Sequence, residues 1–156
     1  MKYTDTMVTF SEVPDEISLC INISNCPIHC KDCHSKELWG DVGSFFNLEV
    51  LVSLIQKNDG ITCICFMGGD LCPTEIMFFC QYIKKHFPEL KTAWYSGRDN
   101  LSDVKHVFKY LDYIKIGPYI EKYGPLNKET TNQRMYKIEN NGDTLTDITK
   151  NFLKKN

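Results

Sequence analysis

Four short strand-like runs, at residues 17–23, 61–67, 91–96 and 113–116, are separated by stretches of helical length. This alternation limits the fold more than any other feature of the sequence. Strand–helix–strand repetition predicts neighbouring parallel strands joined by right-handed crossovers. The run Ile61-Thr62-Cys63-Ile64-Cys65-Phe66-Met67 is almost wholly apolar, as in a strand buried on both faces. A further short strand is expected at 7–10. Asn47 stands where it can cap a helix over 48–58, whose Leu48, Leu51, Leu54 and Ile55 share one face before Gly60 stops it. Thr74 is expected to cap a second helix, in which Ile76, Phe79, Cys80, Ile83 and Phe87 recur at helical spacing until Pro88. A third helix is expected near 100–111, carrying Leu101, Val104, Phe108 and Leu111. Beyond Ile116 the pattern is less regular. Asn141-Gly142 marks a turn between two extended pieces, and Lys150, Lys154 and Lys155 read as a solvated helix face or frayed tail.

Length then restricts the architecture. A complete barrel of eight strand–helix units takes about 250 residues, and this chain has 156. The expectation is one α/β domain over 1–156, an open partial (βα) barrel of parallel strands. Eighteen basic residues against twenty acidic ones give a net charge of −2, which excludes the broad basic footprint of a general nucleic-acid binder. No apolar run approaches the ~20 residues of a membrane span. The first residues lack the apolar core of a secretory signal, so a cytoplasmic protein is expected.

Cysteine is the abnormal count, eight in the chain. Cysteines grouped in a reducing compartment bind metal or do chemistry more often than they form disulfides. Cys26, Cys30 and Cys33 have Cys-x3-Cys-x2-Cys spacing directly after a strand. Three thiolates that wrap one object suit an iron–sulfur cluster, and three ligands on a four-iron cube leave one iron open. The spacing also admits a zinc ion held with His29 or His34, or a redox pair of Cys30 and Cys33. Cys20, Cys63, Cys65 and Cys80 fall in apolar patterns and read as small core residues; Cys72 has no assigned role. Gly68-Gly69-Asp70 lies at the carboxyl end of a strand, where open α/β sheets bind ligands. The two glycines would let a small molecule reach backbone carbonyls, and Asp70 suits an ammonium group. Trp39, Phe45 and Phe46 flank the cysteine loop and are expected to shield it or pack on the first helix. Arg98 would meet a carboxylate or solvent.

The three cysteines followed by Gly-Gly-Asp after the next strand resemble the radical S-adenosylmethionine superfamily, over nearly the whole chain. The short length resembles its glycyl-radical activating branch, and within it the activators of anaerobic ribonucleoside-triphosphate reductase. Tyr95-Ser96-Gly97, Gly117-Pro118 and Asn132-Gln133-Arg134 agree with the resemblance. Asp32 stands before the third cysteine, where many members carry an aromatic residue. The resemblance implies that Cys26, Cys30 and Cys33 hold a [4Fe–4S] cluster whose fourth iron takes the amino and carboxylate groups of S-adenosylmethionine. It implies that Gly68, Gly69 and Asp70 receive the methionyl amino group, that backbone near Asp32, Cys33 and His34 touches the adenine, and that Ser96 lies near the ribose or carboxylate. Reductive cleavage would then give a 5′-deoxyadenosyl radical that takes hydrogen from a glycine of the reductase large subunit. A reduced flavodoxin-type donor is implied, and neither nucleic acid nor membrane. The alternatives are a small radical enzyme acting on a small molecule and a non-catalytic zinc-binding interaction module.

Overall fold

The computed structural model describes residues 1–153, so the expected tail lysines Lys154 and Lys155 lie outside the described residues. In chain order the elements are β1 (Lys2–Thr9), β2 (Ser18–Ile23), β3 (Ser44–Phe45), α1 (Leu48–Lys57), β4 (Cys63–Met67), α2 (Pro73–His86), β5 (Lys91–Tyr95), β6 (Tyr113–Ile116), β7 (Arg134–Glu139) and β8 (Thr144–Asp147). All eight strands form one sheet in the order β3-β1-β2-β4-β5-β6-β7-β8.

The central four strands, β2-β4-β5-β6, pair in parallel, as the strand–helix alternation predicts. The flanks do not. β1 pairs antiparallel with β2 and β3, β7 with β6, and β8 with β7. The expected barrel of parallel strands is therefore corrected to a mixed α/β sheet with free edges at β3 and β8. For the β1–β2 and β7–β8 pairs the reason is connection length. A parallel crossover needs about a dozen residues or more, whereas β1 and β2 are joined by residues 10–17, and β7 and β8 by a short turn at Asn140–Gly142. The strand expected at 7–10 begins at Lys2. Its first half, Lys-Tyr-Thr-Asp-Thr, is too polar to read as a strand but pairs on both sides.

The two faces of the sheet differ in side-chain size. Leu19, Ile21, Ile64, Phe66, Trp94 and Ile114 pack toward the helices in one core. Cys20, Cys63, Cys65, Ala93, Tyr113 and Met135 form the other, covered by Val13 and Leu126. All four cysteines read as core residues are buried, Cys20, Cys63 and Cys65 here and Cys80 on α2.

The Asn47 side chain accepts the Val50 N–H at 2.9 Å and so caps α1. α2 starts one residue before the expected Thr74 cap, with Cys72 at the cap position and no side-chain bond. Pro73 explains this, because its fixed φ and missing N–H suit the first helical position. The third helix, Leu101–Tyr110, is a 3-10 helix rather than an α-helix. Its apolar Leu101, Val104 and Val107 recur every third residue, which matches three residues per turn. No described helix is long and apolar enough to cross a membrane.

Candidate metal centre

The loop that leaves β2 is pinched at its neck. The N–H groups of Asn25 and Cys26 donate to the carbonyls of Gly40 and Leu38, each at 2.9 Å. Within it, Asn25 and His29 adopt left-handed φ of 61° and 49°, and Cys33 N–H closes a turn on the Cys30 carbonyl at 3.0 Å. A 3-10 turn, Lys36–Trp39, completes the return. Ile28 seats the loop on the rim of β5, because a Cβ on Gly97 would come within 2.8 Å of its Cγ1. Two sulfurs already accept backbone N–H groups. Ser35 N lies 3.3 Å from Cys33 Sγ. Burial pushes the Cys26 thiol above its ordinary value, partly offset by the amides of Ile28 and His29.

Cys26, Cys30 and Cys33 border one cavity of about 270 Å³ at the carboxyl ends of the parallel strands. Gly68 and Asp70 reach it after β4, Ser96 and Gly97 after β5, and Gly117 and Pro118 after β6. The sequence-predicted triad and most of the predicted rim are thus brought together.

The glycine pair works differently from expectation. Gly68 and Gly69 have φ of +97° and +93°. A Cβ would meet the Ile23 carbonyl at 3.0 Å from Gly68 and Ile76 Cδ1 at 2.7 Å from Gly69. The space they free is filled by the protein, and Gly69 does not border the cavity. Asp70 is 1% exposed, and its carboxylate accepts the Ser96 hydroxyl and the Gly97 N–H, the latter at 2.9 Å. Arg98 Nε lies 3.5 Å from that carboxylate, and its Nη2 donates to the Asp70 carbonyl at 2.7 Å. Arg98 therefore meets a carboxylate, and Asp70 ties the end of β4 to that of β5.

Other expected residues divide. His34 lines the cavity with its ring 4.5 Å from Tyr119. Asp32 lies outside the lining and accepts the Glu121 N–H at 3.4 Å. Asn132 donates to the Pro118 carbonyl at 2.9 Å and Gln133 to that of Gly117 at 3.3 Å, so both brace the segment after β6, and Gln133 alone of the Asn132-Gln133-Arg134 trio reaches the cavity. Trp39 lines the cavity, Phe46 enters the main core beside Phe66 and Phe79, and Phe45 is exposed.

Over residues 17–139 the sequence matches the 4Fe-4S single cluster domain family. The chain belongs to this family. Neither a curated protein nor a solved structure matches it. A 4Fe-4S single cluster domain is an iron–sulfur protein, and its cluster needs cysteine thiolates.

The residues present fit that group. Among the described residues, no three Cys, His, Asp or Glu side chains close on a point suited to one metal ion. The three thiols instead border a shared space. The two histidines that a zinc site would recruit are engaged elsewhere, His29 stacked on Trp39 at 4.6 Å and His34 against Tyr119. All eight cysteines are free thiols, Cys30 and Cys33 among them.

Sequence reasoning missed Lys115. It is the penultimate residue of the buried strand β6, is 8% exposed, and lines the cavity with the three thiols and Asp70. Its Nζ donates to the Gly117 carbonyl at 2.7 Å and lies 5.7 Å from the Tyr95 ring centre. Burial lowers its pKa from 10.5 to about 8, against the opposing pull of Cys30, Asp70, Cys26 and Cys33. The signal was present: a lone charge inside Tyr-Ile-Lys-Ile, at the strand end that shares its rim with Gly68 and Ser96.

Proposed function

We propose that this chain is a radical S-adenosylmethionine activase that generates a glycyl radical on an anaerobic ribonucleoside-triphosphate reductase, with Cys26, Cys30 and Cys33 as ligands of its [4Fe–4S] cluster. The observation that carries the reading is the single cavity shared by these three thiols and the carboxyl-terminal rim of β4, β5 and β6. Three cysteine ligands leave one iron free for a substrate-derived ligand, which a purely structural cluster does not need. Cys26, Cys30 and Cys33 would hold a cluster able to pass one electron from an external reduced donor to the sulfonium, which would give methionine and a 5′-deoxyadenosyl radical that would take hydrogen from a glycine of the reductase.

The chain's own residues have distinct parts in this reading. Lys115 presents the ammonium that receives the methionyl carboxylate. The rim at Gly68 offers backbone to the methionyl amino group, with the Asp70 charge behind it, and Gly69 shapes that rim by its close packing on Ile76. Because its carboxylate is already bound to Ser96 and Gly97, Asp70 acts by charge and by holding the rim in shape. Ser96 is correspondingly a brace as well as a wall near the ribose. His34 and Tyr119 offer paired rings at the mouth for adenine, with the backbone of residues 32–34 beside them. Ile28, Leu38 and Trp39 are the side chains of the cysteine loop that exclude water. A reduced flavodoxin-type donor and the reductase large subunit are the proposed partners, in the cytoplasm.

Anaerobic reconstitution is expected to give about four irons per chain. Formation of 5′-deoxyadenosine from S-adenosylmethionine is expected to vanish in Cys26→Ala, Cys30→Ala and Cys33→Ala alike. Mixing with the reductase large subunit is expected to give a glycyl EPR doublet. Cleavage without a doublet would redirect the reading to a small-molecule substrate; a colourless, zinc-loaded chain would refute it.

A further inference from the structure

We infer that Trp39 donates its indole N–H to a sulfur of the cluster held by Cys26, Cys30 and Cys33, and so sets the cluster's reduction potential. The inference rests on the cluster ligands proposed above. Among the described residues, Trp39 Nε1 is buried and has no hydrogen-bond acceptor. Buried N–H groups are almost always paired, so an orphan marks an acceptor that the polypeptide itself does not supply. The other indole shows the contrast: Trp94 Nε1 donates to the Gly68 carbonyl at 2.7 Å.

Trp39 shares its cavity with the three thiols. Trp39 ends the 3-10 turn Lys36–Trp39 and lines the cavity bordered by all three cysteines. The bond from Cys26 N–H to the Leu38 carbonyl clamps this turn against the first cysteine. The ring is held in place. His29, from between Cys26 and Cys30, stacks on it at 4.6 Å with 18° between the planes, and Lys36 Nζ lies 5.7 Å from its centre. A fixed ring gives its N–H a fixed direction.

Sulfide and thiolate sulfurs of a cluster carry negative charge and accept N–H bonds, and such bonds tune cluster potentials. One-electron reduction adds negative charge. An N–H donor therefore favours the reduced form and raises the potential. Backbone amides already do this at Cys33 and Cys26; Trp39 adds a side-chain donor that can be removed without touching the backbone.

The test uses the full chain, reconstituted anaerobically, with its two indoles labelled with 15N. In the dithionite-reduced cluster, pulsed EPR is expected to show a 15N coupling with an isotropic part, which Trp39→Phe removes. Trp39→Phe keeps an aromatic ring on His29, so it is expected to retain wild-type iron content while its potential, followed by EPR in a redox titration, moves to more negative values. No isotropic 15N coupling in the wild-type cluster, or an unchanged potential in Trp39→Phe, overturns the inference and leaves the cluster ligands intact. A wild-type chain that takes up no cluster, or one whose iron survives loss of the three cysteines, overturns both. If Trp39→Phe holds no cluster, the labelled wild-type spectrum decides alone, because the Trp94 N–H is committed to Gly68.

Discussion

Replacing Lys115 by Met removes a buried cation while keeping most of its volume, and it separates the energetic cost of that cation from its use. In the cluster-free, reduced chain, Lys115 faces Cys26, Cys30 and Cys33 from the loop, Asp70 after β4, and the Tyr95 ring on β5. Burial outweighs these partners and lowers its pKa from 10.5 to about 8. At about 1.36 kcal/mol for each pH unit, the gap amounts to about 3 kcal/mol of penalty on the charged form. The sign follows from proton binding. Between pH ~8 and ~10.5 the unfolded chain keeps the Lys115 proton and the folded chain has lost it, so stability rises with pH across this window. Below pH ~8 both states are protonated and the penalty stays whole. Lys115→Met is therefore expected to exceed the wild-type chain in stability by an amount that shrinks by about 3 kcal/mol between pH ~7 and ~10.5. Urea unfolding followed by far-UV circular dichroism, without oxygen and with reductant, measures it. The titrations of groups remote from Lys115 are common to both proteins and cancel in the difference. A difference that stays flat with pH, or widens, would refute the account of Lys115 as a buried cation held at a cost. The same variant is expected to lose binding of S-adenosylmethionine in the reconstituted protein, since a residue retained at that cost needs a ligand to offset it.

Two further outcomes follow from the rim. Gly69→Ala combines a φ of +93° with a Cβ placed 2.7 Å from Ile76 Cδ1, and a loss of about 1–3 kcal/mol is expected in urea unfolding; a loss under ~0.5 kcal/mol would show that the turn does not need glycine. Asp70→Asn exchanges a buried carboxylate for an amide in front of the Ser96 hydroxyl, the Gly97 N–H and Arg98, and about 1–3 kcal/mol of stability is expected to go with it. Wild-type stability in Asp70→Asn would mean that the carboxylate does not hold β4 to β5.

The central fold was legible because parallel strands leave a strong trace in sequence. Cys63–Met67 is buried on both faces, so its apolar run is nearly unbroken, and a helix must follow to reach the next parallel strand. The flanks were not legible for the opposite reason. β1 is mostly polar and exposed, and its pairing is fixed by β2 and β3 rather than by its own pattern. The 3-10 form of Leu101–Tyr110 is hidden because Leu101, Val104 and Phe108 satisfy an α-helical face equally well, and only Val107 adds the three-residue repeat. At the site, the cysteine spacing located the loop, but which groups a carboxylate has already bound is a tertiary fact. Asp70 looked free in Gly-Gly-Asp; Ser96, Gly97 and Arg98, almost thirty residues away, are what occupy it.

The cysteines show how one residue type serves two ends in one chain. On β2 and β4, Cys20, Cys63 and Cys65 sit with Ala93 on a single face of the sheet. Burial pushes the Cys63 and Cys65 thiols well above their ordinary value, so they stay protonated and act as small apolar groups. A larger residue there would press against Val13, Leu126 and Met135, which cover this face. The loop cysteines differ in position rather than in kind. They stand on the rim, where backbone N–H groups meet two of the sulfurs and Lys115 and Trp39 line the same cavity. Donors and a cation are what thiolates and cluster sulfides require, whereas around Cys63 and Cys65 burial outweighs every neighbouring group. The division between core thiol and ligand thiol is therefore made by depth of burial and by the groups that the fold places around each sulfur.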